Sequence, residues 1–237
     1  MSTPCETLNY SLNLPEAPTV GVVVLQTDEV LEDELRHWLT PNTRVLHTRI
    51  PSGRAVTAET LSAMEAELPS ALGLLPAKAP ISVIAYGCTS GSTVIGEARV
   101  TELVQKTFPD ASVTNPLTAL KAKLNDIAAQ KIALLTPYEP AVSQALFDHL
   151  TQSGIEIISF GSFNEPVDSN VCRIDEESVM NAIKTLHDRA PCDAIFTSCT
   201  NLRTATWLDS FSKLIGTPVI SSNLAMSWHI NQLTSNA

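Results

Sequence analysis

Positive charge is scarce in this 237-residue sequence: 15 Lys and Arg stand against 25 Asp and Glu, a formal net charge of −10. Nucleic-acid backbones and anionic membranes are held by clustered positive charge, and no basic stripe runs through the chain, so the sequence argues against both as partners. No apolar run approaches the roughly 20 residues needed to span a bilayer. Residues 1–18 have neither a basic start nor an apolar stretch, so they read as an N-terminal extension of a cytoplasmic protein rather than a secretory signal. The five cysteines form no CxxC pair and are odd in number, which suits free thiols in a reducing compartment better than a disulfide framework. Gly87, Gly91 and Gly96 match neither phosphate-loop spacing. The histidines form no ligand spacing with cysteine or carboxylate, so no metal is expected.

Against these absences stands a large apolar content, 44% of residues, enough for a substantial core. Short aliphatic runs at Val20–Gln26, Arg44–Ile50 and Ile81–Gly87 alternate with helical periodicity over Glu29–Leu39 and Thr57–Leu75. The second half repeats the pattern: Lys131–Thr136, Ala141–Ser153, Ile155–Phe160, Glu176–Ala190 and Ala194–Ser198. Alternation of this kind predicts an α/β fold of two pseudo-symmetric Rossmann-like domains, each a parallel sheet flanked by helices. The boundaries read as an extension over 1–18, a first domain over 19–115 and a second over 116–220. A last strand, Val219–Ser221, leads into a terminal helix from Asn223 that crosses back, so that 221–237 completes the first domain. Gly154 reads as a helix C-cap and Asp175-Glu176-Glu177 as an acidic helix start, while Asn115-Pro116 opens the crossing between halves.

The most specific feature is a duplicated cysteine corner. Cys88 lies in Ala85-Tyr86-Gly87-Cys88-Thr89-Ser90 and Cys199, 111 residues later, in Phe196-Thr197-Ser198-Cys199-Thr200-Asn201. Each follows a predicted strand, and open parallel sheets bind ligands outside the carboxyl ends of their strands, which places the active site in the interdomain cleft. A lone strand-end cysteine is most simply a small buried hydrophobe, as Cys5, Cys172 and Cys192 are read here. Packing gives no reason to repeat the residue after the cysteine as well. A helix N-terminus beside each sulfur is expected to lower its pKa from ~8.5 toward neutrality. The first strands of the two halves end in Gln26-Thr27 and Thr136-Pro137-Tyr138, which should face the same cleft; Tyr138 reads as a phenolic donor or as an aromatic covering the seam. The acidic run from Asp28-Glu29 to Glu32-Asp33-Glu34 reads as a solvated helix face.

Tyr86-Gly87-Cys88-Thr89-Ser90 and Ser198-Cys199-Thr200-Asn201-Leu202-Arg203, joined by Thr136-Pro137-Tyr138, resemble the aspartate/glutamate racemase superfamily, in particular its maleate cis-trans isomerase and arylmalonate decarboxylase branch. Pro218-Val219-Ile220-Ser221-Ser222-Asn223 and Trp228-His229 are similar to members associated with ectoine utilisation. The resemblance implies cofactor-free chemistry with Cys88 and Cys199 as the catalytic pair. It further implies that Thr89, Ser90, Tyr138, Thr200 and Asn201 hold a substrate carboxylate, with Asn164 as a second substrate-binding asparagine. Gln26-Thr27 stand where the isomerases place an asparagine, and the decarboxylases keep only the second cysteine. A homodimer acting on a small carboxylate or amino-acid-like substrate is the implied assembly. Two thiols on opposite faces suit either cis-trans isomerisation or racemisation. A non-catalytic carboxylate sensor is the rival from another class.

Overall fold

The computed structural model describes residues 5–13, 17–53 and 55–235. Residues 1–4 and 14–16 of the expected N-terminal extension lie outside the described residues, while 5–13 are exposed and have no regular structure. The first half runs β1 (Thr19–Leu25), α1 (Leu31–Trp38), β2 (Arg44–Ile50), α2 (Ala58–Leu72), β3 (Ile81–Gly87), α3 (Thr89–Ile95), α4 (Glu97–Thr107), β4 (Ser112–Thr114) and α5 (Pro116–Asp126). The second runs β5 (Lys131–Thr136), α6 (Pro140–Gln152), β6 (Glu156–Ser162), α7 (Asp168–Val171), α8 (Glu176–His187), β7 (Ala194–Thr197), α9 (Leu208–Ile215), β8 (Val219–Ser221) and α10 (Ser222–Ser235).

Each half builds a four-stranded sheet in which every pairing is parallel, and the two share one strand order, β2-β1-β3-β4 and β6-β5-β7-β8. The inner strands β1 and β5 are buried over Val20–Val24 and Ile132–Leu135. Strands covered on both faces need continuous apolar runs rather than alternation, which is why these segments are so legible. In both sheets a cysteine corner follows the third strand in that order, so the duplication in the sequence is a duplication in space.

Local chemistry sets the helix ends. Thr57 and Thr60 form a reciprocal capping box at α2, and the Asn115 side chain accepts from the Leu117 and Thr118 N–H groups ahead of α5. Asp175 caps α8, and Gly154, at φ +86°, closes α6. The sequence reading did not anticipate α3, α4, β4 or the short α7. The Thr-Ser-Gly-Ser-Thr start of α3 is poor in helix formers; it is helical because Cys88 caps it, its Sγ accepting from Gly91 N.

The terminal helix α10 lies against α5, α1 and strands β3 and β4. Its Asn231 side chain donates to the Trp38 carbonyl and accepts from Thr40 N, and His229 Nδ1 pairs with the Thr114 hydroxyl at 2.8 Å. A polar cluster ties the halves together elsewhere: Glu97 of α4 takes Lys121 and Thr118 of α5 and His149 of α6. No helix among the described residues is long and apolar enough to cross a membrane.

Candidate active site

The two cysteine corners meet at one small pocket with a cavity volume of about 20 Å³. Cys88, Thr89 and Ser90 reach it from the end of β3, Cys199, Thr200 and Asn201 from beyond β7, and Tyr138 from the β5–α6 connection. Two loops cover it, one from each half. Ala55 and Val167 form an isolated antiparallel bridge, and Val56 N donates to the Pro166 carbonyl. Below that bridge the Thr27 hydroxyl donates to Asp168 at 2.6 Å and pairs with Ser52 at 3.1 Å.

Cys88 is 3% exposed and Cys199 6%. The Cys88 sulfur accepts from Gly91 N at 3.1 Å and lies 3.6 Å from the Ser90 hydroxyl. Gly91 leaves no room for a side chain: a Cβ there would stand 2.6 Å from Tyr86 Oη and 3.0 Å from the Cys88 sulfur. Cys199 has a φ of +107°, a region that favours glycine and costs an L-residue energy. Its N–H donates to Ser222 Oγ at 3.1 Å, and the same oxygen pairs with Thr89 Oγ1 at 2.8 Å. Ser222, wholly buried at the start of α10, thus links the two corners, a role that no motif signalled.

The expected lowering of the thiol pKa is reversed. Burial, aided by the negative charges of Asp168 and Asp28, pushes the Cys88 thiol up to about 12, against the lowering effect of the Gly91 N–H and Ser90. Burial also raises Cys199 well above its ordinary value, Asp168 adding to it. Only Cys88 has a helix start beside it, the seven-residue α3, while Cys199 runs into a turn and not the helix expected. One short helix start cannot offset full desolvation together with two nearby carboxylates. Both sulfurs therefore rest as thiols. Burial likewise keeps the Tyr138 phenol protonated, its oxygen 3.1 Å from Ser198 Oγ.

The acidic run is the solvated face expected at Glu29 and Asp33, which are exposed, but not throughout. Asp28 and Glu34 are 3% and 5% exposed. Asp28 Oδ1 caps α1 through the Val30 and Leu31 N–H groups at 2.8 Å, and Asp28 itself lines the pocket. Glu34 receives the N–H groups of Thr204 and Ala205, the Thr204 hydroxyl, and the Asn223 amide, whose Nδ2 also donates to the Thr200 carbonyl. Glu34 therefore anchors the loop that carries Cys199. Burial raises the pKa of both carboxyls, against the lowering effect of these hydrogen bonds.

Of the residues singled out in the sequence, the pocket gathers Cys88, Cys199, Thr27, Thr89, Ser90, Tyr138, Thr200 and Asn201. Asn201 spends its amide on the chain, accepting from Glu29 N and donating to the Asp168 carbonyl, each at 2.9 Å, so it clamps one half to the other. Gln26 and Asn164 are exposed and outside the pocket lining. Gln26 is turned to the surface at the end of β1, and Asn164 occupies a left-handed turn at φ +55°. In their stead the structure brings in Asp28 and Asp168, which no motif signalled.

Among curated proteins the chain is similar to maleate isomerases. It is 26% identical to that of Geobacillus stearothermophilus over 219 residues, covering 86% of each protein. It is 26% identical to that of Nocardia farcinica over 222 residues, covering 89% of this chain and 88% of the other. Two solved structures share the fold. A cysteine-to-serine variant of the Nocardia farcinica maleate cis-trans isomerase with a covalently bound succinylcysteine intermediate superposes with a TM-score of 0.85 at 24% identity, covering 92% of this chain and 93% of that one. Unliganded arylmalonate decarboxylase gives 0.74 at 20% identity, covering 93% and 94%. The arylmalonate decarboxylase family profile matches residues 69–237, more than two thirds of the sequence, and the chain belongs to that family.

Proposed function

We propose that the protein is a cofactor-independent isomerase of the maleate cis-trans isomerase kind, acting on a small carboxylate with Cys88 and Cys199 as its reacting pair. The observation that carries this reading is the convergence of both strand-end thiols of a duplicated fold on one buried pocket. Cys88 is the nucleophile, because its sulfur already accepts the Gly91 N–H that would stabilise a thiolate. As its thiol proton passes to a pocket carboxylate, Asp28 or Asp168, the sulfur electron pair forms a C–S bond to one alkene carbon. The alkene pair moves onto the neighbouring carbon and its carboxylate, and the proton returns to sulfur when the thiolate leaves. Rotation about the resulting single bond and reversal of the electron flow expel the thiolate and leave the trans alkene. Cys199 holds the proton that the carbanion carbon can borrow. No atom is gained or lost overall, so the cycle needs no co-reactant. The succinylcysteine named in the Nocardia structure is the kind of adduct such an addition forms. Ser90, Thr89 and Tyr138 are the donors proposed for the substrate carboxylate, with Thr200 and Asn201 shaping the opposite wall.

The proposal extends to two domains, 19–115 completed by 221–237 and 116–220; the packing of α10 on β3 and β4 supports the return of the C-terminus to the first, and α5, which α10 also covers, joins the two. A homodimer and a place in ectoine catabolism rest on the sequence resemblance alone, and a cytoplasmic setting on the unpaired cysteines.

The test is a proton NMR assay in deuterium oxide, with maleate and a panel of small carboxylates. Cis-trans conversion is expected in the wild type and is lost in both Cys88→Ser and Cys199→Ser. Mass spectrometry of Cys199→Ser should show a substrate adduct that Cys88→Ser lacks. Full turnover by either variant would overturn the thiol mechanism.

A further inference from the structure

The charge of the described pocket lining does not suit a dianion. Among the described lining residues there is no Lys, Arg or His, while two carboxylates, Asp28 and Asp168, face the cavity at 3% and 5% exposure. Both lie near enough to Cys88 and Cys199 to act on their ionisation. Neither carboxylate is consumed by its neighbours. Asp168 takes one hydrogen bond on Oδ2, from Thr27. Asp28 spends Oδ1 on α1, but its Oδ2 is buried and has no partner. The adjacent Thr200 hydroxyl donates to the Gly87 carbonyl at 3.3 Å and lies close enough to Asp28 to lower its pKa, against the raising effect of burial. A buried carboxylate oxygen without a partner is costly unless a ligand supplies the donor. Two carboxylates around one cavity, one of them with an unpartnered buried oxygen, repel a second substrate carboxylate and attract a cation.

We infer that the pocket selects a zwitterionic substrate, one carboxylate and one ammonium group, with the ammonium seated between Asp28 and Asp168. This deepens the isomerase reading and rests on it for the chemistry, while the charge preference can be measured without turnover. Asp28 and Asp168 would then be specificity residues, separating this chain's substrate from a simple dicarboxylate.

The experiment compares maleate with cis-aminocrotonate, in which an aminomethyl group replaces one carboxylate of maleate. Turnover is followed by NMR and binding by thermal shift, in the wild type, Asp28→Asn, Asp168→Asn and Arg54→Gln; Arg54 stands in the sequence between the lining residues Gly53 and Ala55. The wild type is expected to favour the zwitterion, and each Asn variant to move the preference about tenfold toward maleate, the effect of removing one like charge at close range. A wild type that favours maleate, with a preference unmoved in the Asn variants or lost in Arg54→Gln, overturns the inference. Binding of the zwitterion that weakens in Asp168→Asn, with neither compound turned over, overturns the isomerase reading and leaves this one standing. Wild type that neither binds nor converts either compound overturns both.

Discussion

At the scale of single residues, the site rests on two local conditions. The first is Ser222, whose oxygen serves Cys199 N and Thr89 Oγ1 at once. Ser222→Ala leaves a buried N–H unpaired beside a strained residue, so a stability loss of about 1–3 kcal/mol is expected, with kcat falling more than KM rises. Urea unfolding and steady-state kinetics check this; an unchanged kcat would show that the corner is held by other means. The second is the φ of +107° at Cys199. Relief of strain there, roughly 1–3 kcal/mol, exceeds the roughly 0.5–1 kcal/mol entropy cost of glycine. Cys199→Gly should therefore be more stable than Cys199→Ala, although both lose the thiol; a lower melting temperature for the glycine variant contradicts the strain. Neither condition could be read from the sequence. A serine opening a helix looks like an ordinary cap, and nothing in Ser-Cys-Thr announces a positive φ. The cysteines were legible because their frame occurs twice. Asp28 and Glu34 were misread because burial of an acidic residue is decided by what packs over it, in this case loops from the other half of the chain.

At the scale of elements, α1 does more than cover a sheet. Its Glu34 receives the N–H groups of Thr204 and Ala205 and the Asn223 amide of α10, so one carboxylate fixes the loop after β7 and the start of the last helix. Glu34→Ala strands these buried donors and should cost about 2–4 kcal/mol. Glu34→Gln keeps one acceptor and should cost less, yet it points an amide N–H₂ at groups that also donate, and activity should fall because Cys199 follows the loop. Thermal unfolding of the two variants decides the matter; equal, negligible losses would mean that the loop holds itself. The sequence disclosed β1, β3, β5 and β7 through continuous apolar runs, α2 through its helical periodicity, and α5 and α8 through the residues at their starts. It hid α3, because Thr, Ser and Gly have weak helical preference and only the tertiary setting of Cys88 makes that segment a helix. It also hid the bridge between Ala55 and Val167, since an isolated pairing between two loops has no periodicity.

At the scale of the whole molecule, the two halves are joined by a titratable knot. Glu97 of α4 holds His149, Lys121 and Thr118; although burial acts to raise its pKa, these hydrogen bonds bring the carboxyl from the usual 4.5 to about 2. A carboxyl depressed on folding stabilises the folded state above its unfolded pKa, and that contribution drains away as the pH falls through the folded value. The window therefore runs from about pH 4.5 down to about pH 2. The full shift corresponds to roughly 3 kcal/mol, and about 2 kcal/mol is the expectation for a network that water partly reaches. Asp28 and Glu34 act in the opposite sense. Their raised pKa values mean that the folded state takes up protons before the unfolded chain does as the pH falls, and this offsets part of the acid sensitivity. Glu97→Gln should thus lower unfolding free energy by about 2 kcal/mol at pH 7, by much less near pH 3 and hardly at all near pH 2. Urea unfolding of wild type and variant across that range measures it. A difference that stays constant with pH would mean that Glu97 joins the halves by packing and shape, and that its charge contributes nothing to holding the pocket closed.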